Sequence, residues 1–213
     1  HLFEEAVQAG VTIEKIFALE SYRDQLAAFP QTIWVSEEIL RDLADTQTPQ
    51  GIVAVIQKAE VGQPDLRQGK FLFLEDVQDP GNVGTMIRTA DAAGFTGVII
   101  SDKSADVYSL KTLRSMQGSH FHLPIYRMSL ATFVEGAKKS DLPILATTLS
   151  RESKDYRELS PLEDFVLVMG NEGQGISSVM AESADQLVHI SMKGRAESLN
   201  VAVAAGILMF YFS

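Results

Sequence analysis

The 213 residues predict an α/β protein: a parallel sheet covered by helices, preceded by a smaller unit that also mixes helix and strand. Three observations lead to this expectation. From residue 71 onward, short runs such as FLFL (71–74), GVII (97–100) and FVLVM (165–169) are apolar at successive positions, as strands buried on both faces of a sheet must be. Helical segments alternate with these runs and supply the crossovers that parallel strands need. Between the two parts, residues 58–70 (KAEVGQPDLRQGK) are polar and contain Gly62, Pro64 and Gly69, which reads as a linker.

The elements follow in order. Leu2, Phe3, Ala6 and Val7 have helical spacing over 2–9, closed by Gly10. Residues 13–19 (IEKIFAL) and 33–35 read as strands, 36–45 as a helix opened by Ser36, and 52–56 (IVAVI) as one more strand. These make a compact unit over 1–57. The chain opens on His1 directly in a helical pattern, so this unit is expected to be N-terminally incomplete. In 71–213 the three apolar runs are joined by a fourth strand, PILAT (143–147), and helices are expected over 83–93, 109–117, about 130–139 and from about 199.

Composition narrows the function. A hydrophobic fraction of 46% supports a packed core, and no apolar run approaches the ~18 residues a membrane helix needs. With no membrane span and no signal peptide, a cytoplasmic location is expected. The absence of cysteine excludes disulfides, thiolate metal sites and a cysteine nucleophile, and a count of only four histidines argues against a histidine-only zinc site, so no metal is expected. The net charge of −10 argues against a nucleic-acid partner unless the basic residues cluster. Residues 1–60 hold four of the 18 basic and ten of the 28 acidic residues, which leaves the remainder closer to balance. There, Lys103, Lys111, Arg114 and Arg127 fall in one span and Arg151, Lys154 and Arg157 in another, allowing a local basic face.

Chemistry is expected just after strands, where ligand sites of open α/β sheets lie. In the first such cluster (74–95), Asp79-Pro80-Gly81 forms a turn, Asn82 can cap the next helix, and Arg88 lies at the edge of its apolar stripe. Spacing alone favours a capping asparagine and a surface arginine. In the second (168–177), Gly170, Gly173 and Gly175 form a loop open to close ligand approach, with Glu172 at its tip. The spacing is neither a dinucleotide fingerprint nor a P-loop, which argues against a nucleotide-dependent oxidoreductase. In the third (190–210), Ser198 stands at a helix start with Asn200 in the first turn, ahead of the small residues Ala202, Ala204, Ala205 and Gly206.

Together, in this order, the clusters resemble the SpoU family of RNA 2′-O-ribose methyltransferases within the SPOUT superfamily. Asn82 followed by Arg88 is similar to the family's first motif, Gly170-Asn171-Glu172-Gly173 to its second, and Ser198-Leu199-Asn200-Val201 to its third. TPQGIVAV (48–55) and the Arg114-Ser115 to Gly118 segment before Leu123-Pro124 are similar too, so the resemblance spans nearly the whole chain. It departs at Ala202, where many members carry serine. The resemblance implies a parallel sheet with a deep C-terminal trefoil knot, a small RNA-binding domain at 1–57, and a homodimer with the site at its interface. It implies S-adenosylmethionine as cofactor, contacted by Thr147, Leu149, Gly170, Ile190, Met192 and Leu199. It also implies methyl transfer to a ribose 2′-hydroxyl of ribosomal or transfer RNA, with Asn82, Arg88, Glu172, Ser198 and Asn200 in the reaction site. A guanidinium is effectively always protonated, so Arg88 is expected to clamp a phosphate or stabilise developing negative charge rather than act as base. The competing reading is a non-catalytic RNA-binding or ribosome-assembly factor on the same fold. A binding module has no need for the full set Asn82, Arg88, Glu172 and Asn200, which argues against it.

Overall fold

A computed structural model describes residues 2–44 and 48–213. The chain forms two compact units, His1–Glu60 and Val61–Ser213. In the first, α1 (Leu2–Gln8), β1 (Ile13–Ala18), β2 (Thr32–Trp34), α2 (Glu37–Ala44) and β3 (Ile52–Ile56) follow one another. The expected end of the second helix, residue 45, lies outside the described residues. Strand β1 is central, parallel to β2 and antiparallel to β3. Alternation along β1 turns Ile16 and Ala18 to one face, where they are buried with Leu26 among Phe3, Tyr22, Phe29 and Trp34.

The second unit contains β4 (Lys70–Leu74), α3 (Pro80–Ala92), β5 (Gly97–Ile100), α4 (Leu110–Met116), β6 (Ile125–Arg127), α5 (Leu130–Lys139), β7 (Ile144–Thr147), β8 (Lys154–Asp155), β9 (Phe165–Met169), α6 (Ser178–Ser183), β10 (Gln186–His189) and α7 (Val201–Phe212). Its sheet runs β6-β5-β4-β9-β7-β10-β8, and every pairing is parallel. The apolar runs make its interior: β5 and β9 are buried at every residue.

The sequence pattern did not reveal β6, β8 or α6, and it marked only the end of β10. Strands β6 and β8 have three and two residues and sit at the sheet's two edges, too short for a hydrophobic period. Strand β10 has polar residues at both ends (QLVH).

Both faces of the sheet are covered. On one, α3, α4 and α7 bring Val83, Met86, Ile87, Met116, Leu208 and Met209 against Leu72, Leu74, Val98, Leu167 and Met169. On the other, α5 and α6 bring Phe133, Ala137 and Met180 against Phe71, Phe73, Ile99, Val166 and Val168. Leu66, within the expected linker, is buried in this second cluster, so the later part of 58–70 is packed into the larger unit. Helices α3 and α4 approach closely at Gly84, where a Cβ would come within 2.6 Å of the Thr112 carbonyl oxygen. Any side chain there pushes α4, and with it Lys111, away from the start of α3.

Candidate active site

Strands β4, β9, β7 and β10 are consecutive neighbours and parallel, so their carboxyl ends share one edge of the sheet. The segments that leave those ends are 75–79, 170–177, 148–153 and 190–200. Together with Thr147 at the end of β7 and Asn82 and Arg88 on α3, they carry all the site residues expected from sequence. The chain runs from β4 outward to β5 and β6 and later inserts β9 on the other side of β4. Such a reversal of strand order opens a crevice at the carboxyl edge.

The centre of the site is the Glu172 carboxylate. Its Oε1 accepts hydrogen bonds from the Asp79 N–H (3.1 Å) and the Asn82 amide (3.2 Å), and its Oε2 accepts from the Gln78 N–H (3.2 Å). Asn82 extends the chain of bonds: its Oδ1 accepts from the Asn200 amide at 3.0 Å. Asn200 in turn accepts the Ala202 and Val203 N–H groups at the start of α7. Residues from three segments, distant in sequence, thus form one polar network. Partial burial works against the Glu172 charge, but the N–H groups of Glu172 itself and Asp79, the Asn82 amide and the Gln78 N–H outweigh it and hold the carboxyl below its ordinary value.

Two capping assignments change. The N-cap of α3 is Asp79, whose Oδ1 accepts the Asn82 N–H at 2.8 Å, with Pro80 at the first helical position. This frees the Asn82 side chain to bind Glu172 and Asn200. The N-cap of α7 is Asn200, not Ser198, which is exposed and precedes the helix. Both shifts arise because the residue that caps is set by where the helix begins, three residues earlier than expected in α3 and two later in α7. Lys111 of α4 pairs with Asp79 Oδ2 at 2.9 Å.

The glycine loop is held by its own backbone. A Cβ on Gly170 would collide with the backbone of Gly175 and Ile176 of the same loop, so Gly170 is required by the chain folding on itself. The loop closes through paired bonds between Asn171 and Gly175 (3.0 and 2.9 Å). Asn171 also accepts the Gly173 and Gln174 N–H groups and donates to the Asp76 carbonyl at 2.8 Å. Asn171 therefore organises the loop that presents Glu172. Asn171 lies within the second motif but is not among the site residues expected from sequence, although its place beside the glycines marks an asparagine able to satisfy a tight turn.

The remaining residues are arranged differently. Arg88 is exposed and forms no hydrogen bond or ion pair with the described residues. At about 1.5 Å rise per residue it lies roughly 9 Å along α3 from Asn82. Thr147 is half-buried and donates to the Val168 carbonyl at 2.8 Å, which ties β7 to β9. Beyond it, Leu149 is 79% exposed. Ile190 and Met192 are half-buried, and Leu199 is exposed. The start of the 190–200 segment is held by Asp155, which accepts the Ser191 N–H at 3.2 Å; the Arg157 guanidinium and Ser191 keep that carboxyl far below the usual range.

The expected basic face is smaller than its sequence spans. Arg127 donates to the Ser101 and Asp102 carbonyls, Arg157 pairs with Asp155, and Lys111 pairs with Asp79. Among the described residues no group of acidic or histidine side chains could hold a metal ion, and no helix is long and apolar enough to cross a membrane.

Residues 69–210 match the SpoU rRNA methylase family, and residues 1–62 match the RNA 2′-O ribose methyltransferase substrate-binding family. The chain is 40% identical to the 23S rRNA (guanosine(2553)-2′-O)-methyltransferase RlmP of Bacillus subtilis, over 99% of this chain and 85% of that protein. Among solved structures, the AdoMet-bound rRNA methyltransferase of Sinorhizobium meliloti superposes with a TM-score of 0.87 at 33% identity, covering 99% of this chain and 83% of that one. The SpoU methyltransferase AviRb of Streptomyces viridochromogenes, in complex with AdoMet, superposes with a TM-score of 0.84 at 28% identity, covering 99% and 85%. With both units matched and the three motifs gathered at one sheet edge, the chain belongs to the SpoU rRNA methylase family.

Proposed function

We propose that this site transfers a methyl group from S-adenosylmethionine to a ribose 2′-hydroxyl of ribosomal RNA. The observation that carries this reading is the continuous network Glu172–Asn82–Asn200 beside an apolar rim at the same sheet edge. The similarity to RlmP favours ribosomal over transfer RNA.

The cofactor fits the residues present. Leu149, Ile190, Met192 and Leu199 are apolar yet incompletely buried, on segments leaving neighbouring strands. They suit an adenine ring and a methionine chain, and Thr147 and Gly170 bring backbone groups to the same edge. When bound, S-adenosylmethionine supplies a methyl group already activated by its sulfonium. The chain's own task is to orient the ribose and balance charge. Asn82 and Asn200, fixed by Glu172 and the α7 N-terminus, orient the hydroxyl, and Ser198 borders the same segment. Arg88 has no internal partner among the described residues, so its charge is available to an RNA phosphate or to negative charge developing on the ribose oxygen.

Three further parts belong to this reading. The C-terminal segment from 170 onward forms the trefoil knot of the family, supported by the insertion of β9 and β10 among earlier strands and the tie from Ser191 back to Asp155. The protein acts as a homodimer, supported by Val203, Ile207 and Phe210, which lie at spacings of four and three on α7 and remain exposed. The unit at 1–57 binds RNA, and the reaction takes place in the cytoplasm.

The test is incubation with methyl-labelled S-adenosylmethionine and either ribosomal or transfer RNA, followed by alkaline hydrolysis. A 2′-O-methyl group protects the adjacent phosphodiester, so label in alkali-resistant dinucleotides from ribosomal RNA is expected. Label only in mononucleotides, or in neither RNA, overturns the reading.

A further inference from the structure

We propose that Asp76 is a positioning residue of the transfer site, setting through the 75–79 segment the two backbone N–H groups that hold Glu172. This rests on the reading of the site given above. Among the described non-glycine residues, only Asp76, Gln117 and Asp141 have positive φ, and the latter two end helices. Asp76, at φ +56°, instead lies directly between β4 and the N–H groups of Gln78 and Asp79. A left-handed residue reverses the chain sharply, which a strand leading into α3 does not otherwise require.

The conformation is locked from two sides. The Asp76 N–H donates to Ser101 Oγ at 2.8 Å, and the Ser101 hydroxyl donates back to Asp76 Oδ1 at 2.6 Å. This pins the turn to the end of β5. The Asp76 carbonyl accepts from the Asn171 amide, which pins the same turn to the loop that carries Glu172. The next residue is held too, because the Val77 N–H donates to Ser104 Oγ. Glycine would satisfy the φ angle alone, so the carboxylate adds the clamp on Ser101. Asp76 therefore couples β5, β4 and the glycine loop, and fixes the direction in which the Gln78 and Asp79 N–H groups point. Its effect on substrate passes through Glu172 and Asn82.

The experiment compares Asp76→Ala, Asp76→Asn and Ser101→Ala by kcat, KM for S-adenosylmethionine, and NMR titration of the Glu172 carboxyl in the whole chain. Asp76→Ala is expected to lower kcat about tenfold or more, since small misplacements at a reaction site cost that much, with KM changed less than about twofold. Its Glu172 carboxyl is expected to titrate closer to the ordinary range. Asparagine tolerates the left-handed region and keeps an acceptor for Ser101, so Asp76→Asn should return to within about threefold of wild type. Ser101→Ala should shift kcat and the titration in the same direction without altering the turn's own residue, and it decides the matter if Asp76→Ala does not fold. Unchanged kcat and unchanged Glu172 titration in a folded Asp76→Ala or in Ser101→Ala overturns the proposal, as does Asp76→Asn behaving like Asp76→Ala. If wild type transfers no methyl group, the reading of the site fails, and the Glu172 titration still decides the positioning.

Discussion

The two halves of the candidate site are built in opposite ways. The half formed by Glu172, Asn82 and Asn200 is closed on itself: each side chain bonds another or a backbone group, and the carboxylate is held ionised. The half formed by Leu149, Ile190, Met192 and Leu199 is open, with apolar side chains left partly in water. The polar half is organised by the chain's own hydrogen bonds, whereas the apolar half gains burial when it is covered. Preorganised polar groups lower the cost of orienting a substrate, and unburied apolar groups provide binding free energy when covered.

The sharpest way to break this contrast is Glu172→Ala. Removing the acceptor shared by Gln78, Asp79 and Asn82 should lower the methyl-transfer rate about a hundredfold through misplacement of Asn82, with S-adenosylmethionine affinity little changed. Single-turnover labelling at saturating cofactor measures it; a rate within about threefold of wild type would mean that the network has no catalytic part.

Next in size is Gly170→Ala. Its methyl group meets the Gly175 and Ile176 backbone rather than empty space, so stability should fall by about 1–3 kcal/mol, as for other overpacked sites. Urea unfolding reads the loss. A fully stable variant would place the loop in a different conformation from the one described.

The apolar half is probed by Leu149→Asp. Because the side chain is already exposed, folding should be unaffected, while calorimetric titration should find S-adenosylmethionine bound roughly tenfold more weakly, about 1–2 kcal/mol of lost apolar burial. Equal affinity would remove Leu149 from the binding surface.

The smallest effect concerns pH. The Glu172 pKa is lowered on folding, so its ionised form stabilises the native state fully above the ordinary glutamate range. That contribution is lost as pH falls through the lower, folded value. With the side chain largely, though not fully, exposed, the gap in unfolding free energy between wild type and Glu172→Gln should be about 1 kcal/mol or less near neutrality, closing on acidification. A gap that widens on acidification contradicts the sign.

Apolar runs made the interior strands legible because burial on both faces leaves no polar position to obscure them: β4, β5, β7 and β9 all stood where the pattern placed them. The edge strands β6 and β8 were hidden because two or three residues carry no period. Asn82, Glu172 and Asn200 are expected as site residues from three separate motifs, but the bonds that join them are not legible there. The roles of Asp79 and Asn171 were concealed by the same fact, since a short polar side chain beside a turn can bond to several groups and only the folded backbone selects among them.

The order of apolar and polar residues by itself determined that this chain forms an α/β sheet with its candidate site motifs after the strand ends, because hydrophobic period and turn chemistry are local properties. Tertiary structure alone decided that β9 lies beside β4 and β10 beside β7, which brings residues 75–82, 170–177 and 190–200 to one edge. Strand adjacency depends on which buried faces pack together across the whole sheet, and no local pattern encodes it. The bonds from Asn82 to Glu172 and Asn200, 90 and 118 residues away, exist only because of that adjacency.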